Sequence, residues 1–150
     1  LVERGHRLVA DDVVLVRQRG VDVLIGRAIE HQQFHMEIRG IGIIDVRALF
    51  GIRSVRQQKR IEVVVQLEHW SDKASYDRTG LAQDTTKILG VEIPRVVIPL
   101  NPGKNITVIS EVVAMRHLLR YAGVDSAKLF EQNLKALMQP VRDYLEGDNE

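Results

Sequence analysis

Between Met36 and Gly51 the chain reads Met36-Glu37-Ile38-Arg39-Gly40-Ile41-Gly42-Ile43-Ile44-Asp45-Val46-Arg47-Ala48-Leu49-Phe50-Gly51. A carboxylate and a guanidinium, Glu37 and Arg39, stand two residues apart in an apolar run, and on an extended segment they point the same way. Gly40 and Gly42 follow at once and permit positive φ and close backbone approach. Asp45 stands where a helix N-cap belongs, Val46, Leu49 and Phe50 recur at helical spacing, and Gly51 ends the turn. The pattern predicts an extended segment, a glycine turn and a capped helix in immediate succession. It suits either an ordinary strand-to-helix connection or a ligand-facing loop on a rigid base.

Composition narrows the class of protein around that stretch. A chain of 150 residues fits one domain and buries roughly 70% of the surface its unfolded form exposes. A formal net charge of +1 gives no reason to expect bulk binding to nucleic acid or to an anionic membrane. There is no cysteine, which excludes disulfides, thiolate metal sites and a cysteine nucleophile, and fits a cytoplasmic setting. No apolar run approaches the length of a membrane span, and no signal-peptide pattern is present. Leu1 to Gly5 reads as the last turn of a helix with glycine at C′, so the chain is expected to start inside a larger protein or to have lost upstream residues.

Leu8-Val9-Ala10 predicts a short strand running into Asp11-Asp12. Such acids stand either in a plain turn or at a sheet edge, where they could hold a metal or position a nucleophile. Val13 to Val16 and Val21 to Ile25 flank Arg17-Gln18-Arg19-Gly20, a predicted hairpin with its glycine in the turn. His31 and His35 would share one face of a helix, but Gln32 stands where a zinc-protease glutamate is required, and a partly exposed helix or loop is expected instead. Arg53, Arg56, Lys59 and Arg60 form a basic cluster before a predicted strand, Ile61 to Leu67. Glu92 to Leu100 predicts a strand placed at a sheet edge by Pro94. Pro99-Leu100-Asn101-Pro102-Gly103-Lys104-Asn105 is a proline-restricted loop, either a simple tight turn or a holder for Lys104. Two helices follow. The first runs from Ile106 to about Ala122 and ends at Gly123; the second is capped by Asp125 or Ser126, carries Leu129, Phe130, Leu134, Leu137 and Met138, and is broken, kinked or restarted at Pro140. Gly147 to Glu150 reads as a frayed tail.

The run Glu37-Ile38-Arg39-Gly40-Ile41-Gly42-Ile43-Ile44-Asp45 resembles the signature of the bacterial HPr kinase/phosphorylases. Three further segments agree in order. Gly5 to Asp12 is similar to the segment after that family's nucleotide-binding helix, Tyr76-Asp77-Arg78-Thr79-Gly80-Leu81 to its arginine-bearing loop, and Pro99 to Asn105 to its dephosphorylation loop, continued by Glu111 to Met115 in the helix that follows. The resemblance covers Arg4 to about Met138 and implies an α/β, P-loop-kinase-like fold related to phosphoenolpyruvate carboxykinase, with a mixed sheet, flanking helices and C-terminal helices. It identifies residues 1–150 as a C-terminal catalytic domain cut at its N-terminal side.

The same resemblance implies a bifunctional enzyme that phosphorylates a serine of the phosphocarrier protein HPr with ATP. The reverse activity removes that phosphate with inorganic phosphate and yields pyrophosphate. It implies Asp12 as the base, Asp11 as a support of the metal and of that base, Glu37 as a ligand of Mg²⁺, Arg78 as a charge neutraliser and Lys104 as a dephosphorylation-loop cation. It further implies a homohexamer that regulates carbon metabolism. One departure is plain: the family's Gly-x-x-x-x-Gly-Lys-Ser phosphate loop and its catalytic histidine are absent from these residues, so the chain as written is expected not to turn over ATP. A non-catalytic relative that docks HPr is the other reading.

Overall fold

Short β-branched runs separated by glycines favour local hairpins over long crossovers. The computed structural model describes residues 1–71 and 83–146, and Tyr76, Asp77, Arg78, Thr79, Gly80 and Leu81 lie outside the described residues. The chain divides into two compact units, Leu1–Val64 with Thr85–Arg95, and Val65–Asp84 with Val96–Glu150.

A 3₁₀ turn at Val2–Arg4 opens the first unit and closes on Gly5 at φ +92°, the left-handed cap its sequence called for. β1 (Leu15–Arg19) and β2 (Val23–Arg27) pair antiparallel with Arg19 opposite Val23, so the expected hairpin forms with Gly20 in its turn, but Arg17 to Arg19 belong to β1 and the turn is Gly20-Val21-Asp22. β3 (His35–Ile38) and β4 (Gly42–Asp45) form a second hairpin, and α1 (Val46–Phe50) follows without a linker. A 3₁₀ turn at Ile52–Ser54 leads to β5 (Gln58–Arg60), which pairs with β2 and completes the order β1-β2-β5. Leu24 of β2 is fully buried with Val91 and Ile93, and Val16, Ile61, Val64 and Ile88 pack against them. Burying a leucine of this kind contributes about 1.5–3 kcal/mol.

β6 (Val64–His69), β7 (Asp84–Ile88) and β8 (Val91–Leu100) make a third sheet in the order β6-β8-β7. The turn from β7 to β8 puts both Leu89 (φ +49°) and Gly90 (φ +77°) in the left-handed region, as a tight two-residue hairpin turn demands. The second unit closes with α2 (Ile106–Tyr121) and α3 (Ser126–Glu146). Asn105 caps α2 by accepting from the Val108 amide at 3.2 Å. At its other end the Gly123 amide donates to Arg120 and the Val124 amide to Leu119, a paired closure that needs the positive φ of Gly123.

Several expectations are corrected. Among the described residues the β structure is shared among three small sheets, where one mixed sheet was expected. Leu8 to Ala10 is not a strand; Leu8 makes one parallel bridge, to Val55. The strand expected over Ile61 to Leu67 is shifted along the chain: residues 61–63 are not strand, and β6 runs Val64–His69. Pro94 does not place its strand at an edge, since β8 is the middle strand. Its neighbours span five and six residues against its ten, so neither flanks all of it and a missing amide can fall where no ladder bond is required. Pro140 does not break α3: its fixed φ is a helical one, and the loss of one amide donor leaves the helix continuous to Glu146. The apolar residues expected on α3, Leu129, Phe130, Leu134, Leu137 and Met138, are all exposed.

Candidate functional site

The first acidic pair is placed by backbone bonds. The Leu8 amide donates to the Ser54 carbonyl and the Arg56 amide to the Leu8 carbonyl, each at 2.8 Å, which fastens the chain three residues before Asp11. Ser54 is itself buried, with its hydroxyl 2.6 Å from the Gly51 carbonyl and 3.2 Å from that of Val46. Asp11 then reaches the signature hairpin. Its Oδ2 accepts from the Glu37 amide at 3.0 Å, across 26 positions of sequence. Asp12 follows and is exposed.

The hairpin has its own supports. The Ile41 amide donates to the Ile38 carbonyl at 3.0 Å, and Gly40 sits at φ +83° in the third place of that turn, where a side chain would be strained. The expected extended segment forms as β3 but ends at Ile38, so Arg39 belongs to the turn and does not share the strand with Glu37. Among the described residues neither Glu37 nor Arg39 has an ion-pair partner. Asp45 caps α1 as expected, its Oδ1 accepting from the Ala48 amide at 2.9 Å. The Val46 amide, also without a helical partner, donates to the Phe34 carbonyl at 2.9 Å. Phe34 holds φ +70°, unusual for an aromatic residue, and the Arg47 guanidinium lies 4.7 Å from its ring centroid.

Met36, Glu37, Ile38, Arg39, Gly40, Gly42 and Asp45 therefore form one continuous hairpin and cap, and Asp11 is joined to it. His31 lies in a 3₁₀ turn and His35 opens β3, so they share no helix face. Of the basic cluster, Lys59 pairs with Glu62 at 2.9 Å, and Arg56 donates from Nε to the Gln58 carbonyl. Lys104 belongs to the second unit. Pro99 and Leu100 end β8, and Asn101-Pro102-Gly103-Lys104 is a turn in which the Lys104 amide donates to the Asn101 carbonyl at 3.2 Å and Gly103 sits at φ +84°. Sequence reasoning passed over Trp70, whose ring centroid lies 5.7 Å from the Lys104 ammonium. Its signal was its place, an aromatic residue immediately after a strand.

A cation could use part of this arrangement. Among the described residues no three His, Cys, Asp or Glu side chains gather as a cage. The carboxylates of Asp12 and Glu37 have no partner among the described residues, and one oxygen of Asp11 is outside its bond to Glu37. One or two open carboxylates are the usual protein share for Mg²⁺, which fills its shell with water and phosphate oxygens. The donor set fits that ion.

The family model for the HPr serine kinase C-terminal domain matches residues 1–134. The chain belongs to that family. It is 52% identical over 139 residues to an HPr kinase/phosphorylase of Prosthecochloris aestuarii, a match covering 92% of this chain and 41% of that protein. An HPr kinase/phosphorylase of Geobacter sulfurreducens is 48% identical over 139 residues, 93% of this chain and 44% of its own length. The chain thus spans less than half the length of these curated relatives. Among solved structures, the Hpr(Ser) kinase/phosphatase of Coxiella burnetii aligns with a TM-score of 0.74 and 34% identity, over 86% of this chain and 78% of that one. The mixed α/β fold of this HPr serine kinase C-terminal domain is similar to that structure. Among the described residues no helix is long and apolar enough to cross a membrane.

Proposed function

We propose that this chain is part of the catalytic domain of a bifunctional HPr kinase/phosphorylase, P-loop-kinase-like in fold and working as a homohexamer in the cytoplasm. The observation that carries this reading is the bond from the Glu37 amide to Asp11, which ties the Asp11-Asp12 pair to the signature hairpin. In the forward direction the serine Oγ of HPr attacks the γ-phosphorus of ATP, its proton passes to the Asp12 carboxylate, and the bond to the leaving ADP oxygen breaks. In reverse, an oxygen of inorganic phosphate attacks the phosphoserine phosphorus. Pyrophosphate forms, and the departing serine oxygen takes the proton back from Asp12.

Asp11, fixed by the Glu37 amide, holds Asp12 at the hairpin, and Glu37 with Asp11 would ligate Mg²⁺. That ion would supply charge neutralisation between phosphate oxygens. Arg78 and Lys104 are the cations assigned to the transferring phosphoryl group, Lys104 mainly in dephosphorylation. The 150 residues contain no Gly-x-x-x-x-Gly-Lys-Ser/Thr stretch, so the nucleotide phosphates are not cradled by a loop of that kind within them. The test uses the intact protein. Asp12→Asn is expected to lower phosphorylation and dephosphorylation of HPr by at least ~100-fold with ATP affinity nearly unchanged. Near-normal serine phosphorylation by Asp12→Asn would remove Asp12 from the reaction.

A further inference from the structure

Lys104 is held tightly along its backbone and loosely along its side chain. Behind it, the Pro102-Gly103 turn is closed by its own amide on Asn101; ahead of it, Asn105 caps α2. Proline fixes one φ of that turn, and Gly103 at φ +84° supplies a conformation other residues avoid. The four-carbon stem beyond the backbone has no such restraint. Among the described residues Lys104 has no carboxylate partner, and its ammonium lies 5.7 Å from the Trp70 ring centroid. Trp70 directly follows β6 and Lys104 follows β8, and these strands are neighbours in one sheet. Both residues belong to the second unit. Two strand ends thus bring an aromatic face to the one side chain of the turn that carries charge.

A carboxylate in the same place would hold the ammonium strongly and cancel the charge an incoming anion needs. An indole face orders the cation while leaving its charge intact and its donors open on the far side. We propose that Trp70 is a positioning residue for Lys104, holding the ammonium over its ring in readiness for inorganic phosphate. The proposal rests on the reading of Lys104 as a dephosphorylation-loop cation. An exposed cation–π contact biases an equilibrium by about 2- to 5-fold, which sets the size of the effect.

The experiment uses the intact protein, with Trp70→Leu, Trp70→Phe and Lys104→Met. In HPr dephosphorylation, Trp70→Leu is expected to raise the KM for inorganic phosphate about 2- to 5-fold, with a clearly smaller effect on HPr phosphorylation at saturating ATP. Trp70→Phe keeps an aromatic face and is expected to restore most of that loss. Equal losses in both directions, or a Phe variant no better than Leu, would overturn the proposal. A second measurement needs no turnover. Inorganic phosphate is titrated while Trp70 emission is read as the difference between the wild type and Trp70→Phe. Phosphate is expected to alter that emission, and Lys104→Met, which keeps the stem and removes the charge, is expected to abolish the response. Emission indifferent to phosphate overturns the positioning role even where dephosphorylation proceeds. If the wild type shows no phosphate-dependent dephosphorylation, the functional reading of the loop fails separately, and the emission result still decides the contact.

Discussion

The amide of Glu37 donates to Oδ2 of Asp11 at 3.0 Å, and this bond joins the start of the chain to the middle of its glycine-rich hairpin. The donor lies on β3, so its direction is set by the strand. The acceptor lies in a bend, where it would be free to turn away without the Leu8–Val55 bridge behind it.

Removing the acceptor should therefore cost stability, and changing its charge alone should not. Asp11→Ala leaves the Glu37 amide to water at a partly exposed site, with an expected loss of about 0.5–1.5 kcal/mol in urea unfolding. Asp11→Asn keeps a carbonyl oxygen in place and is expected to lose much less. Equal destabilisation by the two variants would show that the bond contributes nothing of its own.

Gly42 gives the sharper test of the hairpin. A Cβ there would meet nothing within 4 Å, yet the residue holds φ +108°. Gly42→Ala should lose about 1–3 kcal/mol by backbone strain alone. Gly26 is the opposite case: its φ is ordinary, and a Cβ added to it would lie 3.1 Å from Cγ1 of Val14, a side-chain end able to give way. Gly26→Ala is expected to cost less than Gly42→Ala, and denaturation midpoints that rank them the other way would reject the strain argument.

What could be read in advance was local. Asp45 and Asp125 each accept from amides two or three residues ahead, so their capping roles follow from neighbours visible in the sequence. Gly123 and the glycine of the β1–β2 hairpin, Gly20, were legible for the same reason, although the turn itself lies further along than expected. The Asp11–Glu37 bond spans 26 positions, and no periodicity encodes such a partner. Resemblance to the family supplied their shared role, but not the bond itself. Pro94 misled because a proline argues against ladder bonds on one side only, and a long strand between two shorter ones has positions with none to lose. Trp70 was missed because its partner arrives from a strand that sequence reasoning placed at an edge.

Asp125 carries a pH dependence. Desolvation pushes its carboxyl up, but the Lys128 amide, the Arg120 charge, the Ala127 amide and the Lys128 charge together outweigh this and hold the pKa below its ordinary value. Arg120 Nε lies 3.3 Å from Oδ2, while Oδ1 accepts from the two amides. A folded pKa below the unfolded one gives stability that is present above the unfolded value and fades as pH falls through the folded one. Asp125→Asn keeps a capping oxygen and loses the charge, so the wild type should melt higher from pH 5 to 7. The difference should shrink below about pH 4, where free aspartate protonates. A difference independent of pH would assign the effect to capping geometry alone.

The backbone and the side chain of Glu37 have separate duties. The amide is committed to Asp11, whereas the carboxylate is exposed and has no partner among the described residues. Glu37→Gln leaves the amide untouched and keeps the side chain's size, so it should leave the melting temperature nearly unchanged. If the carboxylate ligates Mg²⁺, its loss weakens the site for the ion without removing the other oxygens, those of Asp11, water and the substrate phosphates. Activity in the intact protein should then fall at low Mg²⁺ and recover in part as Mg²⁺ is raised, with the half-saturating concentration shifted upward about tenfold or more. A structural Glu37 behaves differently: the variant would melt lower, and added Mg²⁺ would restore nothing. Measuring the melting temperature and the Mg²⁺ dependence on the same preparation separates the two roles.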